Sequence, residues 1–499
     1  MMYQSTRDSG VAVSSAQAIT QGISADGGLF VPQSIPELTN EEIKALLPLS
    51  YVERAKAVLA KFLTDFTKEE LDACVSGAYA PGKFDDESVA PLAEIAPGVY
   101  MLELWHGPTC AFKDMALQML PFLLTTASRK TVGDKTIVIL VATSGDTGKA
   151  ALEGFKDVDG TKILVFYPQD GVSPMQKLQM TTQEGGNVGV CAIKGNFDDA
   201  QTGVKAIFTD EAVAKKLKQH GMLFSSANSI NWGRLAPQIV YYISAYCDLV
   251  KEGKVTLGDP INIVVPTGNF GNILAAYYAK SMGLPVAKLI CASNSNNVLT
   301  DFLKTGVYDR NRPFFTTVSP SMDILISSNL ERLLYDLSGR DDKKIRGYME
   351  SLAKTGRYEV DDAIKAKLNA LFCAGFCDDT ATKETIGETF QSRGYLCDTH
   401  TAVALHVYEQ YVADTGDKTP TVIASTASPF KFSASVLDAV AKEDVTGMDE
   451  FSKVAELSRC TKLEAPQALA SLKDKAVRFE DVCTKDTMER VVLSMLGIS

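Results

Sequence analysis

The middle of the chain repeats one grammar. A short, nearly continuous run of β-branched and aliphatic residues ends in a cluster of small polar residues, and a helical pattern follows. K-T-I-V-I-L-V-A (Lys135 to Ala142) ends in T-S-G-D-T-G, and K-I-L-V-F-Y (Lys162 to Tyr167) ends in P-Q-D-G-V-S-P. N-V-G-V-C-A-I (Asn187 to Ile193) ends in K-G-N-F-D-D-A, and I-N-I-V-V (Ile261 to Val265) in P-T-G-N-F-G-N. A-K-L-I-C-A (Ala287 to Ala292) ends in S-N-S-N-N, and T-V-I-A-S (Thr421 to Ser425) in T-A-S-P-F-K. Uninterrupted apolar strands alternating with helices predict an α/β fold of parallel sheets covered on both faces. Such sheets bind ligands beyond the carboxyl ends of their strands, where all these polar clusters fall. The clusters are therefore candidates to converge on one cleft.

The flanks read differently. Before about residue 95, E-E-I-K-A-L-L, Y-V-E-R-A-K-A-V-L-A-K-F-L and K-E-E-L-D-A-C-V-S-G-A-Y predict amphipathic helices, preceded by a turn and an extended piece in A-D-G-G-L-F-V-P. After about residue 440 the chain is charged and helical again. The expected division is 1–95, a separate N-terminal mainly helical domain; 96–440, two α/β lobes meeting near residue 230; and 441–499, a C-terminal helical segment. A length of 499 residues has room for this.

Charge and cysteines narrow the function classes. A net charge of -11 argues against a nucleic-acid partner, though not against a small anionic substrate in a local basic pocket. The 10 cysteines are scattered, and the one close pair, Cys373 and Cys377, has no second pair beside it. That favours reduced thiols over a metal site or a disulfide framework, and a cytoplasmic protein. The N-terminus lacks the apolar core of a signal peptide and no apolar run exceeds strand length, so no membrane association is expected. A monomer and a small homo-oligomer fit equally.

One stretch breaks the regularity. L-W-H-G-P-T-C-A-F-K-D-M-A-L-Q-M-L sets Lys113 at the head of an apolar run whose Met115, Leu117, Met119 and Leu120 predict a buried helix. Lysine avoids such surroundings unless it is paired or does chemistry. Taken alone, the stretch favours the plainer alternative, a packed stem with its ammonium in water. In P-T-G-N-F-G-N-I-L-A-A, Gly268 and Gly271 allow a tight turn that aims N–H groups outward, and the following helix adds its positive end. This suits a phosphate, although a βα turn without a ligand fits the isolated motif as well. In V-A-T-S-G-D-T-G-K-A-A, Ser144, Thr147 and the N–H groups around Gly145 suit a carboxylate. Asp146 would repel one, unless it points away or accepts a hydrogen bond from a cationic group. The alternative there is helix capping by Asp146 or Thr147. A lysine, a phosphate cradle and a carboxylate nest are what pyridoxal 5'-phosphate (PLP) chemistry on an amino acid needs.

These motifs, in this order, closely resemble the threonine synthases of the bacterial and fungal type. Y-Q-S-T-R, A-D-G-G-L-F-V-P, H-G-P-T-C-A-F-K-D, A-T-S-G-D-T-G, V-S-P-M-Q, G-N-F-D-D-A-Q, N-S-I-N-W-G-R-L-A-P-Q, V-P-T-G-N-F-G-N-I-L-A and S-P-S-M-D-I-L-I-S-S-N-L-E-R follow the family order over nearly the whole chain. The resemblance implies a fold type II PLP enzyme of the tryptophan synthase β kind, a carbon–oxygen lyase. Its reaction turns O-phospho-L-homoserine and water into L-threonine and phosphate. It further implies that Lys113 carries the cofactor as a Schiff base and serves as acid and base. Gly268, Asn269, Phe270 and Asn272 would hold the cofactor phosphate. Thr426 would stand at the pyridine nitrogen, making the ring a milder electron sink than a carboxylate would. Ser144, Asp146 and Thr147 would lie around the substrate. Arg234 and Lys149 are candidates for the substrate phosphate, with a structural ion pair or a solvated side chain as the alternative for each.

The chain departs from the family at Ser428, where A-H-P-A-K-F is typical and A-S-P-F-K-F stands here, and at Thr399, where a proline is common. His106 and His400 fall inside matching motifs, with core or supporting roles expected. Two rivals share the scaffold: a phospholyase that releases a 2-oxo acid, ammonia and phosphate, and a binding protein without catalysis. A PLP dehydratase fits less well, because its lysine sits in S-F-K-x-R rather than A-F-K-D.

Overall fold

The computed structural model describes residues 1–143, 145–170, 172–441 and 446–498. A small antiparallel sheet opens the chain, with β1 (Met2–Ser5) between β2 (Val13–Ser14) and β3 (Phe30–Pro32). The expected helices follow as Asn40–Leu46, Tyr51–Phe62 and Lys68–Ala78. Two of them start in capping boxes, Thr39 with Glu42 and Thr67 with Glu70. This segment does not carry a core of its own. Tyr3 and Phe62 pack their rings on Trp232. Buried Arg54 reaches across to Ser244 Oγ (2.9 Å) and Asp248 (2.7 Å) on the long helix Trp232–Lys251.

β4 (Leu92–Ala96) and β5 (Val99–Glu103) form a hairpin. Then come β6 (Thr136–Ala142), β7 (Thr161–Pro168), β8 (Val188–Ile193) and β9 (Met222–Ser225). After the long helix follow β10 (Ile261–Pro266) and β11 (Val286–Ser293). A small ladder pairs β12 (Val307–Asp309) with β13 (Arg357–Glu359). β14 (Phe372–Phe376), β15 (Thr421–Ser425) and β16 (Val482–Cys483) complete the set.

Two sheets organise the body, as the alternating pattern predicts. One is six-stranded in the order β14-β11-β10-β15-β5-β4, parallel except for β4. The other is five-stranded and all parallel, in the order β16-β8-β7-β6-β9. β10 and β15 are buried along their whole length, as strands covered on both faces must be. β5 and β14 extend the first sheet beyond the strands read from sequence, and β16 returns from the C-terminal segment to the edge of the second. Two of the polar clusters cap the helix that follows; after β7, Ser173 forms a capping box with Gln176. After β8, Asn196 spends its side chain on a capping box with Asp199, at the head of the next helix.

Candidate active site

Lys113 is placed by the end of β15. Phe112 N donates to Thr426 O (2.8 Å), Ser428 N donates to Cys110 O (3.1 Å), and an isolated antiparallel bridge joins Ala111 to Ala427. C-A-F-K is thus stitched to S-T-A-S, so that Lys113 opens its helix (Lys113–Leu117) beside Thr426. Asp114 points the other way, buried, and accepts from Thr109 N (2.8 Å) and Thr109 Oγ1 (2.7 Å). The turn before it needs Gly107, where a Cβ would fall 2.5 Å from the Asp114 Cβ. Burial raises the Asp114 pKa to about 6 against those two hydrogen bonds.

The Lys113 ammonium lies 4.7 Å from the centre of the Phe112 ring. Burial in the cleft brings its pKa down to about 8, with Asp146 opposing and the charges of Lys431 and Arg234 adding to the fall. An amine near that value keeps an appreciable neutral fraction close to physiological pH, and the neutral form is the one that attacks a carbonyl or takes a proton.

The Gly-rich turn follows β10. Phe270 adopts a left-handed backbone (φ 63°) to start the helix Gly271–Met282. Gly268 is required by a close approach, since a Cβ there would stand 2.9 Å from Ser321 O. Ser327 Oγ donates to Gly268 O (2.8 Å) and Asn329 N donates to Asn269 O (3.1 Å), so the carbonyls are held by the segment wrapped outside the turn. The first N–H groups of the helix have no partner within it. Asn272 Oδ1 accepts from Tyr241 (2.7 Å) and Tyr242 (2.5 Å), while its Nδ2 is buried without a partner.

Asp146 resolves the objection raised from sequence. It opens the helix Asp146–Phe155 without capping it; Thr143 Oγ1 does that work, accepting from Gly145 N (3.0 Å) and Gly148 N (2.9 Å). The Asp146 carboxylate instead meets Lys431 Nζ at 2.7 Å and accepts from Ser321 Oγ (3.1 Å) and Gln176 Nε2 (3.2 Å). Burial alone would push its pKa up; the ammonium groups of Lys431 and Lys113 hold it well below the usual carboxylate range. Ser321 N also donates to His400 Nε2 (3.1 Å), which leaves Nδ1 to donate to Asp398 (2.7 Å).

Ser144 lies outside the described residues. Thr147 is half-buried in the first turn of the Asp146 helix. The Lys149 ammonium donates to Gln183 Oε1 (2.5 Å) and pairs with Glu153 (3.2 Å), the structural ion pair that was the alternative for it. Arg234 is buried in the first turn of the long helix, hydrogen-bonded from Nη1 to Ala227 O.

Three family models match along the chain: threonine synthase N terminus at residues 2–79, pyridoxal-phosphate dependent enzyme at 88–375, and threonine synthase C-terminal at 401–492. The threonine synthase of Pseudomonas aeruginosa is 40% identical over 440 residues, which cover 87% of this chain and 90% of that protein. The chain belongs to the threonine synthase family. The crystal structure of PLP-bound threonine synthase from Brucella melitensis superposes with a TM-score of 0.88 at 36% identity, covering 99% of both chains. Human threonine synthase-like 1 is 41% identical over 86% of this chain, and the match spans 58% of that longer protein. Threonine synthases are thus the setting for both lobes, and the fold is that of type II PLP enzymes.

The residues present fit the family's cofactor. Asn272 Nδ2 is a buried donor in want of an acceptor at the head of a helix, and the turn before it is kept free of side-chain bulk at Gly268. Lys113 and Thr426 are neighbours through the backbone. Two residues in quoted motifs, Lys431 and Ser321, carry contacts that sequence reasoning left unassigned. The demand of Asp146 for a cationic partner was the signal for the first; nothing local marked the second.

Proposed function

We propose that the chain is a PLP-dependent threonine synthase that converts O-phospho-L-homoserine and water to L-threonine and phosphate. The reading is supported by the hydrogen bond from Phe112 N to Thr426 O, which sets Lys113 beside Thr426, and by the parallel pairing of β10 with β15, the strands that lead into the 268–272 turn and into Thr426. Lys113 would hold the cofactor, Gly268, Asn269, Phe270 and Asn272 its phosphate, and Thr426 its ring nitrogen. The bound cofactor supplies the electron sink that allows a proton to leave the substrate Cα. Lys113 Nζ, partly neutral near pH 8, is the base that would take the proton from Cα and then one from Cβ. The first turn of the Asp146–Phe155 helix, with Thr147 and its free N–H groups, would orient the amino-acid carboxylate. Asp146 need not repel that carboxylate, because Lys431 neutralises it. The lowered Lys113 pKa and the sealed Asp146–Lys431 pair both call for a cleft that limits bulk water.

A second reading stays in view because the human relative is named threonine synthase-like: elimination of phosphate with release of a 2-oxo acid and ammonia. Incubating the PLP-loaded protein with O-phospho-L-homoserine separates the two. Threonine with equimolar phosphate supports the synthase; 2-oxobutanoate and ammonia move the chain to the lyase. A colourless protein that takes up no PLP, or full visible absorbance kept in Lys113→Ala, overturns both. The compartment is proposed as the cytoplasm, with no nucleic acid or membrane as partner and a monomer or small homo-oligomer as the working form. We take 1–95, 96–440 and 441–499 as its units.

A further inference from the structure

The helix Thr399–Thr415 starts on a carboxylate that does more than cap it. Asp398 is 0% exposed and accepts from His400 N (2.8 Å) and Thr401 N (3.1 Å), the ordinary work of an N-cap. It also accepts from two side chains, His400 Nδ1 on Oδ2 (2.7 Å) and Thr401 Oγ1 on Oδ1. A buried carboxylate is costly unless its lone pairs are met, and these four donors meet them.

Each side-chain donor begins an arm that ends at the candidate site. Thr401 Oγ1 donates to Asp398 and accepts from Thr426 N (3.2 Å), while Thr426 O accepts from Phe112 N (2.8 Å), next to Lys113. Thr426 is thus held from both sides of its backbone. His400 donates from Nδ1 to Asp398, so Nε2 is the bare nitrogen that accepts from Ser321 N (3.1 Å). Its ring packs edge-on against Phe432, with centres 4.9 Å apart, which holds its orientation. Ser321 sends Oγ to Asp146 in the other lobe (3.1 Å), and Ser321 O stands 2.9 Å from where a Cβ on Gly268 would fall. We propose that Asp398 is a positioning residue for the reaction: through Thr401 it fixes the place of Thr426, and through the tautomer of His400 it fixes Ser321 against Asp146. This rests on the PLP reading above. Capping alone would not need a carboxylate, since asparagine caps a helix as well as aspartate does. The two arms do need one, because an asparagine offers a single acceptor oxygen for both.

The test compares the full chain as wild type, Asp398→Asn, Thr401→Val and Thr401→Ser. Nitrogen NMR of histidine-labelled wild type, assigned with His400→Gln, reads which ring nitrogen carries the proton; the expected site is Nδ1. In the PLP-loaded proteins, Asp398→Asn should lower kcat by roughly 10- to 100-fold, as losing the partner behind a metal-binding histidine does. It should also shift the absorbance maximum of the bound cofactor, because Thr426 is the group assigned to the ring nitrogen. Thr401→Val should change the absorbance and kcat in the same direction, and Thr401→Ser, which keeps the hydroxyl, should stay near wild type in both. A helix cap and nothing more predicts wild-type absorbance and kcat in Asp398→Asn. That result overturns the assignment, and so does a wild-type His400 protonated on Nε2. If the asparagine variant does not fold, the two Thr401 variants and the wild-type tautomer decide, and a valine variant that matches the serine variant overturns it. A wild type that takes up no PLP overturns the proposed function and this inference together. Normal uptake and turnover with indifferent variants overturns this inference alone.

Discussion

Asp146 and Lys431 pair at 2.7 Å with side chains 4% and 0% exposed, one from the lobe of the five-stranded sheet and the other from just beyond β15. Lys431 also donates to Thr109 O (2.9 Å), in the turn that leads to Lys113. One ammonium thus ties the helix of one lobe to the lysine-bearing segment. Removing either partner strands a charge in the interior, and this penalty exceeds what the intact pair contributes.

Lys431→Met should therefore lower stability by about 3–5 kcal/mol in urea unfolding. Adding Asp146→Asn should recover much of that loss, because the stranded carboxylate goes with it. A single variant as stable as wild type, or a double variant no better than the single, would show that the pair is not the interlobe contact the geometry describes.

His106 sits between two carboxylates, with Nδ1 2.5 Å from Asp85 and Nε2 2.9 Å from Glu103. Glu103 accepts in turn from Tyr395 OH (3.0 Å), which contacts Ser425 Oγ (3.2 Å) at the end of β15. Burial disfavours the imidazolium, yet the two acids raise its pKa to about 9. A folded-state pKa above the unfolded value of 6.5 gives stability that is complete below pH 6.5 and lost as pH rises through about 9. Allowing for the exposure of Asp85, the loss should be about 1–2 kcal/mol. Urea midpoints between pH 6 and 10 measure it, and His106→Gln should flatten the curve; an unchanged slope in that variant would remove His106 as the cause.

Much of this was legible because buried parallel strands are nearly unbroken apolar runs. T-V-I-A-S is β15 residue for residue, and the other predicted strands shift by a residue or so at their ends. Short or mixed strands escaped: V-Y-M-L-E of β5 mixes aromatic, aliphatic and acidic residues, and F-C-A-G-F of β14 carries a glycine. At the candidate site, Lys113, Gly268 and Thr426 could be singled out as candidates because each lies inside one contiguous motif. Ser321 could not, since its bonds to Asp146 and His400 depend on how three distant segments fold together. The partner of Lys149 in Gln183 escaped for the same reason: a lysine in a motif gives no sign of a residue on another segment.

Gly154 marks the closest approach of the Asp146 helix to the segment after Lys113. A Cβ on it would lie 2.1 Å from Leu117 O, and backbone cannot yield as a side chain does. Gly154→Ala should cost about 1–3 kcal/mol or more through overpacking, and should weaken cofactor uptake by shifting Lys113. Thermal unfolding and absorbance titration of one preparation check both. A variant of wild-type stability would mean that the two helices pack less closely than described.

Lys113 offers a direct reading of the electrostatics around it. In the stripped protein its amine should react with an acylating reagent along a titration curve centred near pH 8, where burial has brought its pKa to about 8. Asp146 holds that value up; without its carboxylate, only Asp114 is left to oppose the positive charges of Lys431 and Arg234. Asp146→Asn should therefore move the curve to lower pH, and Lys431→Met should move it to higher pH. Mass spectrometry of the peptide that contains Lys113 follows the extent of modification across the pH series. The opposite signs matter more than the size of either shift, because a general loosening of the cleft would rehydrate the amine and drive both curves upward. Two upward shifts would mean that burial alone sets the reactivity of Lys113, and that the Asp146–Lys431 pair serves only to hold the lobes together.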